Sequence, residues 1–160
     1  MSALWRTNGL DELWESAPTS AGIYIIKCNK VVRRVAGQDH SGILYIGKSI
    51  KLRRRLKRFI DFNHIASGFL WENREVAGGI LGERCQSDED YLIEQLGKLK
   101  VKFSTINKSK LEEAERAVLH AYVRKFGEVP PLNNSLPKRW SKEPSKNSLC
   151  WASWARRGLK

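Results

Sequence analysis

The chain has 160 residues, 41% hydrophobic and 29% charged, which suits one buried core and is too little for two. No run approaches the roughly 18 uninterrupted apolar residues of a membrane-crossing helix, and the N-terminal MSALWRTNGLDELWE lacks the apolar stretch of a signal peptide. The expectation is a cytoplasmic protein with no membrane partner. Lys and Arg number 29 against 17 acids, giving a net charge of +12 and a pI near 9.9. Such a field gathers polyanions and speeds their encounter, so nucleic acid is the favoured partner over a basic protein with no such role. Cys28, Cys85 and Cys150 are odd in number and widely spaced. They fit neither a disulfide framework nor a zinc site, and read as inert thiols.

In chain order, residues 1–19 read as an N-terminal helical extension, with Leu10, Leu13 and Trp14 on one face before the SAPTSAG break. GIYIIKC (22–28) is a strand rich in β-branched and aromatic residues. VVRRV (31–35) prolongs it or starts its neighbour. The turn-rich GQDHSG (37–42) leads into a second strand, ILYIG (43–47). Ser49 is an N-cap type opening a helix through IKLRRRLKRFID. Further helical stretches are expected at about 64–77 and 88–97. LKVKFSTI (99–106) reads as a third strand, and Ser109 to Glu112 as a capping box opening a helix that Gly127 and Pro130-Pro131 end near Phe126. The pattern is an α/β (α+β) domain, a central, mainly antiparallel three-stranded sheet flanked by helices.

Two charged residues fall on apolar stripes. In the first core helix Leu52, Leu56, Phe59 and Ile60 form the stripe, and Arg55 sits at its edge. Arg53, Arg54, Lys57 and Arg58 point elsewhere, as a solvated or phosphate-facing surface would. In the last helix Leu111, Ala114, Val118, Tyr122 and Phe126 mark the buried face, with Glu115 near its centre. Glu112 and Arg116 are spaced to pair on the outside. A buried carboxylate needs a cation, a metal or a proton. By spacing alone Arg55 and Glu115 are a site or a structural ion pair, or reach water at a sheet edge.

Gly22-Ile23-Tyr24 followed by Tyr45-Ile46-Gly47 resembles the signature of the GIY-YIG endonuclease family. Lys48 and Ser49 and a Leu-Arg-x-Arg helix follow the second tripeptide, AERAVL contains the family's glutamate as Glu115, and PPLN supplies its asparagine as Asn133. The resemblance covers about 20–134. It implies a GIY-YIG-type nuclease domain there, between the 1–19 extension and a 135–160 extension without a recognised counterpart. The spacing between the two tripeptides is long, as is that between Glu115 and Asn133. Asn134 is a second candidate for the asparagine.

The resemblance implies a metal-dependent endonuclease that hydrolyses phosphodiester bonds in DNA, double-stranded or branched. One divalent ion, Mg²⁺ or Mn²⁺, would sit on Glu115. Arg55 would grip phosphate oxygens in the transition state. Tyr24 and Tyr45 would position or deprotonate water, with Lys48 or the metal as the cation that stabilises a phenolate. Asn133 would hold the surrounding shell. Arg53, Arg54, Arg58, Lys138 and Arg139 are expected to contact the DNA backbone, and His40 and His64 are weaker site candidates. The alternative is a catalytically inactive nucleic-acid-binding module of the same fold. A third reading is a protein-interaction domain using its tryptophans. Oligomeric state is not legible.

Residues 134–160 hold seven basic residues and one acid, Glu143, a net +6 that is half the chain's charge. Trp140, Trp151 and Trp154 are interleaved among them. The segment is either a DNA-binding arm or a cover that packs its tryptophans on the core.

Overall fold

A computed structural model of the chain describes residues 6–9, 17–60, 100–133, 136 and 140–141, with backbone alone at 6–9 and 58–60. The helices expected at 64–77 and 88–97 lie outside the described residues, as do Leu10, Leu13 and Trp14 and most of 135–160. The elements are β1 (Arg6–Gly9), β2 (Gly22–Lys27), β3 (Val32–Arg34), β4 (Gly37–Asp39), β5 (Ile43–Ser49), α1 (Leu52–Ile60), β6 (Lys100–Thr105) and α2 (Leu111–Phe126). A 3₁₀ turn, Lys108–Lys110, leads into α2. Among the described residues no helix is long and apolar enough to cross a membrane.

The fold is α+β. The central sheet runs β1-β6-β2-β5, and every pairing in it is antiparallel. Among the described residues it has four strands where the sequence suggests three. The added one, β1, pairs along β6 with Arg6 opposite Phe103 and Gly9 opposite Lys100, so part of the 1–19 segment is a strand. VVRRV neither prolongs β2 nor joins the main sheet: β3 pairs with β4 in a separate two-stranded ribbon.

Strand alternation sorts the sheet's side chains onto two faces. On one, Ile23, Ile25, Ile43 and Ile46 pack with Leu111, Ala114, Val118, Leu119, Tyr122 and Phe126 of α2. On the other, Tyr24, Ile26, Val101 and Phe103 pack with Leu52 and Leu56 of α1, and Tyr45 lies against them. All five stripe positions anticipated in α2 are buried. Its end is also as anticipated: Gly127 takes φ 77°, a left-handed conformation suited to glycine, and returns its N–H to the Val123 carbonyl.

Both helix starts differ from expectation. Ser49 remains in β5, and its hydroxyl accepts from the Lys51 N–H. The first N–H groups of α1 are capped by backbone: Leu52 donates to Ser20 O at 3.0 Å and Arg53 to Pro18 O at 2.9 Å. The capping box at Ser109 does not form either. Asn107 accepts from the Ser109 N–H and hydroxyl instead, and α2 begins after the 3₁₀ turn.

Candidate active site

Strands β2 and β5 place the two tyrosines side by side. Tyr24 stands opposite Gly47, and Tyr45 opposite Ile26, so both rings lie on the α1 face with centroids 5.8 Å apart. This closeness depends on glycine. A Cβ on Gly47 would come within 2.6 Å of Tyr45 Cε1 and 2.8 Å of both Tyr24 Cζ and Oη. One on Gly22 would overlap the Ser104 carbonyl oxygen and Leu52 Cδ1. Both glycines of the paired tripeptides are therefore explained by packing.

Arg55 enters from α1. Its Nε donates to the Tyr24 hydroxyl at 3.1 Å, and Tyr45 lies within hydrogen-bonding reach of Arg55 and Tyr24 alike. The three form one cluster. Tyr24 is fully buried, Tyr45 half-buried and Arg55 largely exposed. Burial pushes the Tyr24 phenol well above its ordinary range, and the field of Tyr45 adds to this. The hydrogen bond and charge of Arg55 oppose the rise without cancelling it. Partial burial works against the Arg55 charge, but its bonds to the tyrosines outweigh that and raise it further.

Lys48 and Glu115 form a second cluster on the opposite, α2 face. Lys48 Nζ is 2.9 Å from Glu115 Oε2 and 3.9 Å from Glu112 Oε1. The Glu115 side chain is 14% exposed, against 76% for Glu112, so the near-central position read from helical spacing is correct. The cation is Lys48, not Arg55. This also revises the role expected for Lys48: it serves the carboxylate, while Arg55 is the cation beside the tyrosines. Glu112 leans to Lys48 and makes no ion pair with Arg116 among the described residues.

The two clusters meet at one strand. Tyr45 and Lys48 flank Ile46 and Gly47 on β5, the edge of the main sheet among the described residues. Asn133 fixes that edge. Its side chain donates to Ile46 O at 2.8 Å and accepts from Ile46 N–H at 3.0 Å, imitating a further strand. The neighbouring Leu132 N–H donates to Leu44 O at 3.0 Å. The asparagine thus braces the strand bearing both clusters. Asn134 lies outside the described residues.

Of the expected backbone contacts, Arg54 is exposed on α1. Arg53, also exposed, is partly committed, its Nε donating to Ala17 O at 2.6 Å. The side chains of Arg58, Lys138, Arg139 and His64 lie outside the described residues. His40 is exposed in the turn after β4. Cys28 is buried with a free thiol, and burial raises its pKa. Cys85 and Cys150 are not among the described residues.

Sequence reasoning missed Asp39. It is fully buried and accepts from the N–H groups of Ser41 (2.8 Å) and Ile43 (2.9 Å) and the Tyr122 hydroxyl (3.2 Å). It ties the start of β5 to α2. Beside it, Arg34 pairs with Glu128 at 3.1 Å and donates to the Val129 carbonyl, anchoring the β3–β4 ribbon below α2. A lone Asp in a Gln-Asp-His turn carries no sign of this burial.

Trp140 settles one part of the C-terminal question. Its ring stacks on His120 with centroids 3.9 Å apart and planes 10° from parallel, His120 Nε2 is 3.0 Å from its carbonyl oxygen, and it packs on the α2-side core. Trp140 is a cover residue; Trp151 and Trp154 lie outside the described residues. No family model, characterised protein or solved structure matches this chain.

Proposed function

We propose that this chain is a GIY-YIG-type DNA endonuclease, with its α+β domain in that fold, hydrolysing phosphodiester bonds with one divalent ion, Mg²⁺ or Mn²⁺. The observation that carries this reading is the gathering of the five family positions and Lys48 around one strand, β5, an edge strand among the described residues. Tyr24, Tyr45 and Arg55 cluster on one side of β5, Lys48 and Glu115 on the other, and Asn133 braces Ile46 between them.

The geometry divides the labour. The Arg55 guanidinium offers donors to phosphate oxygens, and its bond to Tyr24 fixes its direction. Tyr24, sealed from water and held protonated by burial, is a positioning residue rather than a base. Tyr45, half-buried beside it, is the hydroxyl that meets the attacking water. Lys48 gives the Glu115 carboxylate, 14% exposed, a cation partner at 2.9 Å.

The donor set fits the metal. Among the described residues no group of three His, Cys, Asp or Glu is gathered, so a dedicated protein cage is not built there. A hard cation such as Mg²⁺ needs only one or two carboxylates besides waters and phosphate oxygens. Glu115 would hold it, and the bound ion would stabilise charge on the scissile phosphate and leaving oxygen.

One contact favours the inactive-module reading: Lys48 already neutralises Glu115. Incubating the protein and Glu115→Gln with plasmid and branched DNA, with and without Mg²⁺ or Mn²⁺, separates the two. The enzyme reading expects metal-dependent cleavage that the variant loses by at least about a hundredfold, with DNA binding retained or tightened. Binding without cleavage by the parent selects the inactive module, and a variant cutting at the parental rate removes Glu115 from the chemistry.

A further inference from the structure

Three lysines outside the candidate site share one face of the sheet. Lys27, the last residue of β2, stands directly opposite Lys100 of β6, and Lys102 stands opposite Ile25. Directly paired residues and their i±2 neighbours point to the same side of a sheet, and Ile25 belongs to the α2 face. All three lysines therefore point to the face that carries Lys48 and Glu115. Helix α2 packs over β5 and β2 on that face. Among the described residues, the β6 part with Lys100 and Lys102 continues beyond it towards β1. Lys100 is exposed; Lys27 and Lys102 are half-buried.

This grouping works against folding. Like charges directly opposite on neighbouring strands repel. Burial first, then the Lys102 charge, pulls the Lys27 pKa below its ordinary value, and Lys100 adds to this. Asp39 opposes the fall, but its oxygens are already bonded to Ser41, Ile43 and Tyr122. A polyanion laid across the three ammonium groups would relieve the repulsion.

We propose that Lys27, Lys100 and Lys102 form a phosphate-binding patch that holds the backbone of duplex DNA beside the cleavage site. The ligand class rests on the nuclease reading; the patch itself rests on strand register and charge. Lys48 pairs with Ile23, and Lys27 lies four residues further along β2, ~13 Å at ~3.3 Å per residue. That is roughly four base steps along a duplex axis, so one continuous duplex reaches both.

The test is salt-dependent binding of a labelled duplex oligonucleotide to the full chain and to Lys100→Ala/Lys102→Ala, with melting temperature measured on both. The patch expects an unchanged fold and a salt slope shallower by about two units, since each phosphate contact contributes about 0.9. Lys100→Arg/Lys102→Arg should keep the parental slope, and if the alanine variant melts early, Lys100→Gln/Lys102→Gln replaces it. A parental slope in the neutral variant overturns the patch while leaving the nuclease reading intact. A parent that binds no duplex overturns both. Lost affinity with an unchanged slope assigns the lysines to folding and also overturns the patch.

Discussion

Replacing Gly47 with alanine should damage chemistry more than stability. The new methyl would lie 2.6 Å from Tyr45 Cε1 and 2.8 Å from Tyr24 Cζ and Oη, well inside the ~3.5–4.0 Å optimum for carbon contacts. Its neighbours are ring atoms, so the clash is relieved by swinging the rings apart. Tyr24 is fully buried and Tyr45 half-buried, so this costs about 1–3 kcal/mol, as overpacking does. In a domain of this size that lowers Tm by roughly 2–12 °C. The displaced atoms are the ones that hold Arg55, whose 3.1 Å bond ends on the Tyr24 hydroxyl. Misplacing a positioned group by about 1 Å costs about a hundredfold in rate. Differential scanning fluorimetry and a metal-started plasmid assay measure both quantities on one preparation. Gly22→Ala is the contrast, since its methyl strikes the Ser104 backbone carbonyl, which cannot swing aside, and it should chiefly lose folding. A Gly47→Ala protein that melts and cuts like the parent would refute the claim that the glycine makes room for a working tyrosine pair.

Arg55→Lys should lower cleavage by about a hundredfold while DNA affinity stays near parental, because a lysine is a point charge without the donor fork. Arg54→Ala, exposed on the same helix, should instead weaken binding and flatten its salt dependence by about one unit; identical behaviour of the two would make Arg55 part of a generic basic surface. Deleting 141–160 keeps the Trp140–His120 stack, so Tm should hold while the salt slope falls by up to about four units. A destabilised protein with an unchanged slope would show the deleted part to be core cover. Stability should also decline once pH passes about 10, the free tyrosine value, as followed by urea unfolding.

The parts legible in the sequence are those whose cause is local. Strands β2, β5 and β6 announce themselves by β-branched and aromatic runs, and α2 by its stripe and by Gly127. The parts not legible are fixed by distant partners. Arg6–Gly9 reads RTNG, with no apolar alternation and an Asn-Gly pair typical of turns, and only its pairing with β6 makes it a strand. Ser49 has the chemistry of a helix cap, yet the Pro18 and Ser20 carbonyls arrive first. The same division holds in the site. Helical spacing singled out Arg55 and Glu115 as charges on apolar faces, and both lie at the centre of a cluster. It could not supply their partners, because the pairing of β2 with β5 sets which of Tyr24, Tyr45 and Lys48 faces which helix.

The alkaline behaviour bears directly on which tyrosine works with water. Tyr24 and Tyr122 are both raised above the ordinary phenol value, each chiefly by burial. For Tyr122 the negative field of Asp39 adds to it. In the unfolded chain these phenols ionise near pH 10, while in the folded protein they remain protonated. Above pH 10 the unfolded state therefore holds fewer protons than the folded one, and stability must fall as pH rises. The two phenols together contribute a limiting slope of about 3 kcal/mol per pH unit to this fall, about twice that of one, and the lowered Lys27 opposes it in part. Tyr24→Phe should remove about half of that slope and cost cleavage through lost positioning of Arg55, without changing the pH at which cleavage rises. Tyr45→Phe removes the hydroxyl of the less buried tyrosine of the pair and should lower the cleavage rate. If Tyr24→Phe shifts the cleavage profile and leaves the alkaline slope intact, the buried phenol is titrating in the folded enzyme, and the assignment of the two tyrosines must be exchanged.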